Sequence, residues 1–262
     1  MDFLLIIAAI WLAAASFTDI KKREVADWLS FSLVAIALSF RASESIILWS
    51  ITPISTSLIG LGLFFILANL LYYLKIFAGG DAKLLIAMGT VMPSLPLLSN
   101  ILIVGSIYGL LYSLFLGLIN RKAVAKELGR LNFEGIKYIL SGLIILTLIG
   151  LALNSPLLYL ISGAVAILLS LQIYIGAVDR VSLIKNINPK DLTEGDWLLK
   201  NVRLKKGKIV YSKFSGLTKR EISLLIKNGK KIYVRYGIPF IPVYFIAFLL
   251  TIWLGNLFAL LV

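Results

Sequence analysis

Long apolar runs separated by short polar segments make up most of this 262-residue chain. A helix needs about 20 apolar residues to cross a hydrocarbon core of about 30 Å. Eight runs approach that length, at residues 3–20, 28–40, 50–74, 82–95, 97–120, 136–153, 157–177 and 238–262. The second and fourth runs rise only about 20 Å each as helices, so they would have to tilt or thin the bilayer. The pattern predicts an α-helical polytopic membrane protein with about eight transmembrane helices, and at least six.

The composition indicates the same class of protein and limits the side chains that could be catalytic. The chain is 60% hydrophobic and 15% charged, with a mean hydropathy of +0.95, whereas soluble domains carry about 25% charged residues. It contains no cysteine and no histidine, which excludes disulfides, thiolate zinc sites, cysteine nucleophiles and histidine-based dyads. We therefore predict no metal and no cofactor. Any catalysis would depend on carboxylates, amines, hydroxyls or the backbone.

Charge distribution predicts the orientation in the cell membrane. If the N-terminus is outside, alternation of the eight runs places the connections 21–27, 75–81, 121–135 and 178–237 inside. Of the 26 lysines and arginines, only Arg41 then lies outside, and the other 25 lie on or beside the inner face. This bias is what the positive-inside rule requires. Both termini are predicted to be outside.

Residues 178–237 differ from the rest of the chain because they carry 15 lysines and arginines against 5 carboxylates. Residues 208–213 and 231–235 alternate as half-buried strands do. Between them, Thr218 and Glu221 form a capping box that opens a short helix, which Gly229 ends. We predict a basic cytoplasmic α+β module that attracts anionic lipid headgroups. We favour this interpretation of its charge over nucleic-acid binding.

This interpretation divides the chain into three segments. Residues 1–177 would form a transmembrane core with additional spans, 178–237 the module, and 238–262 a final transmembrane helix.

Two aspartates occupy costly positions at the ends of apolar runs. Asp19 lies in residues 16–24 (SFTDIKKRE) and Asp81 in residues 77–85 (FAGGDAKLL). The predicted topology places both at the inner face at similar depth, so carboxylates from two helices can converge. Such a pair can share one proton, with one carboxylate activating water while the protonated one polarises a scissile carbonyl.

Glycines before Asp81 suggest a second element of such a site. Gly79 and Gly80 lack side-chain bulk and permit unusual backbone angles, so we predict a loop that a substrate backbone can approach. Lys83 follows two residues after Asp81 and either tunes the pair or extends to the headgroups, which we prefer.

Simpler roles for the two aspartates remain open from the residues alone. Asp19 could be an ordinary helix-end charge paired with Lys22 or Arg23. Asp81 could be a helix N-cap, for which aspartate is well suited.

The two aspartate motifs resemble those of the type IV prepilin peptidase family, membrane aspartyl proteases with a GxGD signature. The order of the motifs, the gap of roughly sixty residues between them and the topology agree together. Residues 216–221 and 236–242 extend the resemblance towards the archaeal preflagellin (prearchaellin) peptidases. The strict signature has glycine where this chain has Ala78.

The resemblance implies a membrane aspartic endopeptidase with Asp19 and Asp81 as its catalytic pair. Its substrates would be archaellin or type IV pilin-like precursors, from which it removes short basic class III signal peptides at the cytoplasmic face. Bacterial relatives often add a cysteine-containing domain and methylate the new N-terminus. This chain has no cysteine, so no methyltransferase activity is expected.

Two other classes of function remain as alternatives. A transporter-like protein could use the same aspartates to carry protons or cations, although no internal repeat is visible and the carboxylates lie at one face. A non-catalytic membrane assembly protein could also have kept this fold.

Overall fold

A computed structural model describes the chain at residues 3–74, 77–130, 134–153, 155–204, 207–213 and 216–261. The chain divides into two compact units, Met1–Gly109 with Gly237–Val262 and Leu110–Tyr236. Lys75, which belongs to the predicted inner connection 75–81, lies outside the described residues. The three-segment division predicted from the sequence stays a prediction.

Helices dominate both units. In chain order they are α1 (Phe3–Lys22), α2 (Asp27–Ile47), α3 (Thr52–Tyr73), α4 (Gly79–Val91), α5 (Leu95–Ile119), α6 (Arg121–Leu128), α7 (Glu134–Ala152), α8 (Pro156–Val178), α9 (Lys219–Asn228), α10 (Ile241–Leu254) and α11 (Leu257–Leu261). The strands are β1 (Ile184–Ile187), β2 (Trp197–Leu198), β3 (Val202–Arg203), β4 (Ile209–Val210) and β5 (Ile232–Arg235).

The helices have the length and surface of membrane-spanning elements. Among the described residues, five helical stretches are long and apolar enough to cross a bilayer: Phe3–Lys21, Asp27–Ile47, Thr52–Tyr73, Leu95–Ile119 and Pro156–Leu183. Shorter apolar helices cover Leu140–Ala152 and Ile241–Leu254. On α3, the apolar residues Leu58, Ile59, Leu63 and Ile66 are each more than half exposed, as expected for a surface that faces lipid. The predicted class, a polytopic helical membrane protein with a small sheet region, is confirmed.

The two short predicted spans have different bounds in the structure. α2 continues to Ile47, seven residues beyond the predicted end, and an Arg41–Glu44 ion pair of 2.6 Å on its surface supports the added turns. α4 has only 13 residues and ends at Val91, just before Pro93. It therefore rises about 20 Å, which is short for a span.

The last predicted span is built from two helices. α10 ends at Leu254 and is followed by Gly255, whose φ of +71° is in the left-handed region that favours glycine. The buried Asn100 of α5 binds this break: its Nδ2 donates to the Gly255 carbonyl at 2.7 Å, and its Oδ1 accepts from the Leu257 N–H at 3.0 Å. The side-chain amide thus replaces helical hydrogen bonds lost at the break.

In the first unit, α4 packs against both α2 and α3, and α10 packs against α1. The α3–α4 contact is close because two glycines face it. A Cβ on Gly60 would collide with the Gly89 carbonyl, and a Cβ on Gly89 would collide with the Phe64 ring. Ser57 adds a hydrogen bond from its hydroxyl to the Thr90 carbonyl at 2.9 Å. This packing fixes the helix that carries Asp81.

The second unit contains the predicted α+β elements. β5 pairs antiparallel with β1 and β2 in a three-stranded sheet, and β3 pairs with β4. α9 begins where the sequence predicted: Thr218 is the N-cap, its N–H donates to Glu221 Oε2 at 3.0 Å, and its hydroxyl accepts from the Glu221 N–H at 3.4 Å. Gly229 ends α9 with a φ of +70°. The local predictions for this helix are confirmed.

Candidate active site

Asp19 is a buried carboxylate near the C-terminal end of α1, only 6% exposed. Its Oδ2 accepts a hydrogen bond from the Ile241 N–H at 2.9 Å. Ile241 is the first residue of α10, where main-chain N–H groups have no partner within the helix and favour negative charge. The carboxylate is therefore held by the N-terminus of a helix that lies far away in the sequence.

The simpler role for Asp19, an ion pair at a helix end, is only partly reflected in the structure. Arg23 lies within electrostatic reach of Asp19, but its Nη1 donates to the Gly237 carbonyl at 2.7 Å. The Lys22 side chain lies outside the described part of the chain. Burial and a backbone donor, more than a neighbouring cation, define the environment of Asp19.

Asp81 is half-buried in the first turn of α4. Its Oδ2 accepts a hydrogen bond from the Ala78 N–H at 3.2 Å. Ala78 is the N-cap residue, and its methyl side chain has no acceptor to offer the helix. Asp81 thus stabilises the start of α4 from the third helical position instead of from the N-cap itself.

Asp19 and Asp81 lie in the same compact unit. α1 and α4 contact each other, and the two carboxylates are within electrostatic reach. Each carboxylate also accepts from a backbone N–H at the start of a helix. Two such groups can divide the tasks of general base and general acid.

Gly79 and Gly80 occupy the first helical turn of α4, where the sequence had suggested a loop. Neither has a left-handed φ, and a Cβ at either position would find only ordinary contacts, with Tyr72 at 3.9 Å or Val25 at 3.6 Å. The Asp81–Ala78 hydrogen bond begins the helix before the aspartate, which accounts for the difference. The structure gives these glycines an open surface rather than a strained backbone.

Lys83 forms an ion pair with Asp27, the first residue of α2. Its Nζ lies 2.6 Å from Asp27 Oδ1, so the pair joins α4 to the start of α2. The same ammonium lies 5.9 Å from the centre of the Phe31 ring. Lys83 therefore acts between helices, in addition to any contact with headgroups.

Tyr244 is a residue of the site that sequence reasoning missed. It is fully buried on α10 and its hydroxyl donates to the Asp81 carbonyl at 3.3 Å. Its ring centroid lies 5.6 Å from that of Phe240 and 6.1 Å from that of Phe77. A tyrosine inside an apolar run signals a buried hydroxyl that needs a partner, but the sequence does not say which one.

Among the described residues, no three side chains of the histidine, cysteine, aspartate or glutamate types group together as they would around a metal ion. Within the described part of the chain, the site consists of the two carboxylates and their backbone donors.

Both aspartates lie in a part of the chain that is similar to known proteins. Residues 6–119 match the model of the type IV leader peptidase family, and this range holds both aspartates. Similar curated proteins are the preflagellin peptidases of Methanocaldococcus jannaschii, at 32% identity, and of Methanococcus voltae and Methanococcus maripaludis, each at 33%.

These similarities cover only part of each chain. Each extends over 88 residues, which is 34% of this chain and 37–38% of the relative. The alignment thus spans less than two-fifths of the relatives it matches. α10, which contacts both aspartates, lies beyond the range of the family match.

Proposed function

We propose that this chain, whose residues 6–119 match the type IV leader peptidase family, is a membrane-embedded aspartic endopeptidase with Asp19 and Asp81 as its catalytic pair. The single observation that carries the proposal is the placement of the two aspartates. They come from different helices of one unit, lie within electrostatic reach and each accept a backbone N–H at a helix start. A structural role for either one alone would not require the other.

The pair supports hydrolysis without a covalent intermediate. The ionised aspartate accepts a proton from water while the water oxygen attacks the scissile carbonyl carbon. The protonated aspartate donates a hydrogen bond to the carbonyl oxygen. As the tetrahedral intermediate collapses, the aspartate that took the water proton donates it to the amide nitrogen, the carbon–nitrogen bond breaks and both products are freed.

The substrate class follows from the names of the relatives. They are preflagellin peptidases, so the proposed substrates are archaellin or pilin-like precursors with a short basic leader before an apolar helix. Gly79 is exposed at the start of α4, and a Cβ there would meet only the Tyr72 ring, at 3.9 Å, so an extended substrate backbone has room beside Asp81. We expect cleavage without methylation of the new N-terminus.

The proposed orientation places the aspartate pair and residues 178–237 at the cytoplasmic face. Support comes from the distribution of lysine and arginine. The net positive charge of residues 178–237 favours contact with anionic headgroups over nucleic acid. Because the chain has no cysteine, single cysteines at Ser43 and Lys200 can test this with a membrane-impermeant maleimide. In intact cells, labelling at position 43 and protection at position 200 are expected.

The catalytic proposal is tested by cleavage of a tagged precursor archaellin in membranes that contain the full chain. Asp19→Asn and Asp81→Asn should each slow cleavage by at least about 100-fold, since general acid–base catalysis contributes about that much or more. Asp191→Asn, an exposed aspartate of the second unit, is the matched control and should cleave like the wild type. Cleavage at the wild-type rate by either active-site variant would refute the proposal.

A further inference from the structure

One helix, α10, contacts both aspartates of the proposed pair. At its first residue, the Ile241 N–H donates to Asp19 Oδ2 at 2.9 Å. One turn further along, the Tyr244 hydroxyl donates to the Asp81 carbonyl at 3.3 Å. Residues three apart lie on the same helix face, so a single face of α10 contacts both α1 and α4.

The start of α10 is held rigidly enough to act as a spacer. Ile241, Val243 and Tyr244 are all fully buried. The Phe240 ring packs 5.6 Å from the ring of Phe77, which precedes α4.

The Phe240 ring also lies close to α5. A Cβ at Gly105 would come within 2.9 Å of this ring. The absence of a side chain at Gly105 thus allows the Phe240 ring to lie close to α5, and this contact helps to hold the start of α10 in place.

Aspartates that act as a pair need a fixed separation, because a displacement of about 1 Å can cost about 100-fold in rate. α1 and α4 contact each other, but among the described residues no hydrogen bond joins either aspartate to the helix that carries the other. The two hydrogen bonds from α10 connect them through one rigid element. Pro242 adds stiffness in the first turn of that element.

We propose that the first turns of α10 set the relative placement of the two aspartates, through the Ile241 N–H and the Tyr244 hydroxyl. Tyr244 is then a positioning residue, acting on Asp81 through its backbone carbonyl and not on the substrate. This inference rests on the proposed function. It goes beyond that function because it assigns a role to a helix outside the range matched by the family.

The test is Tyr244→Phe in the purified full chain, with steady-state kinetics on a precursor archaellin and thermal unfolding measured together. Loss of one hydrogen bond that positions the pair should lower kcat about 3- to 10-fold. KM should be unchanged, because substrate binding does not use this hydroxyl. Phe248→Leu is the control: Phe248 is fully buried on the same helix, and the shorter side chain loosens its packing without touching either aspartate.

Two results would overturn the inference. One is an unchanged kcat in Tyr244→Phe. The other is a kcat loss in Phe248→Leu that equals that of Tyr244→Phe at the same shift in Tm, since helix stability alone would then explain both.

A second variant probes the other hydrogen bond. Replacement of Ile241 by its α-hydroxy acid removes the N–H and keeps the side chain, and it too should lower kcat with KM unchanged. An unchanged kcat there would remove Ile241 from the proposal.

Asp19→Asn and Asp81→Asn are assayed alongside these variants. If both cleave normally, the proposed function fails and this inference fails with it. If cleavage is lost only in these two variants, this inference alone is refuted.

Discussion

The main-chain N–H of Ile241 donates a hydrogen bond to the carboxylate of Asp19 at 2.9 Å, across 222 positions of sequence. The donor is a main-chain N–H at the start of a helix, where such groups have no partner within the helix and favour a negatively charged acceptor. The last part of the chain thus helps to build a site whose two acidic residues both lie in the first 81 positions.

Close packing of α3 on α4 predicts a contrast between two nearby glycines. Gly60→Ala should lower the free energy of unfolding by about 1–3 kcal/mol, because its Cβ would collide with the Gly89 carbonyl. It should also reduce cleavage, since α4 carries Asp81. Gly62→Ala is the control, with open space around it. Thermal unfolding in detergent measures both variants, and equal Tm values would contradict this packing account.

The glycines before Asp81 can be tested separately from folding. Gly79→Ala and Gly80→Ala should leave Tm unchanged or slightly higher, since both positions are helical and uncrowded and alanine favours a helix by up to about 1 kcal/mol. If cleavage nevertheless falls with a raised KM, the glycines serve substrate approach. A drop in Tm for either variant would show that the glycines are needed for folding instead.

Ala78→Gly would restore the strict signature. Ala78 has an extended backbone, with φ −73° and ψ 164°, which any residue adopts. We therefore expect no gain in kcat or KM from this substitution. A large gain in the same cleavage assay would mean that the alanine itself limits the site.

The Lys83–Asp27 pair predicts a small coupling between α2 and α4. Both side chains are substantially exposed, and exposed ion pairs contribute about 0.2–1 kcal/mol. A double-mutant cycle with Lys83→Met and Asp27→Asn should give a coupling within that range, and each single variant should keep most of its cleavage activity. Loss of cleavage in Lys83→Met but not in Asp27→Asn would instead indicate a direct role of Lys83 at the aspartates.

Low pH should destabilise α9, because Glu221 becomes protonated. Hydrogen bonds lower the pKa of Glu221 from 4.5 to about 2. The bond from the Lys213 side chain has the largest effect, and the bond from the Thr218 N–H has the next largest. A lowered pKa stabilises the fold above pH 4.5, and that stabilisation is lost as pH falls towards 2. Hydrogen exchange of α9 amides, corrected for intrinsic rates, should show protection falling below pH 4.5 in the wild type. Glu221→Gln should lack this step, and the same step in both would contradict the assignment.

The sequence was most informative where structure depends on near neighbours. Thr218, Glu221 and Gly229 marked both ends of α9 because caps involve residues only three or four positions apart. The apolar runs predicted the spanning helices for a similar reason. Long-range partners were not predictable: nothing near Asp19 indicates Ile241, and nothing near Gly255 indicates that Asn100 binds the break.

Local signals also misplaced some element ends. The glycines at positions 79 and 80 suggested a loop, yet the bond from Ala78 to Asp81 starts the helix there. At α2, the sequence after residue 40 is polar enough to suggest a loop, but the Arg41–Glu44 pair and good helix formers carry the helix on. In both cases a hydrogen bond between residues three positions apart lies at the helix end that the apolar pattern missed.

The measurement that tests the central claim most directly is a cycle of single-turnover cleavage rates for the wild type, Asp19→Asn, Asp81→Asn and the double variant. Residues that act as one unit are strongly non-additive. We predict that each single variant loses at least about 100-fold and that the double variant loses no more than the worse of the two. Losses that multiply in the double variant, or a single variant that cleaves at the wild-type rate, would contradict a shared catalytic pair.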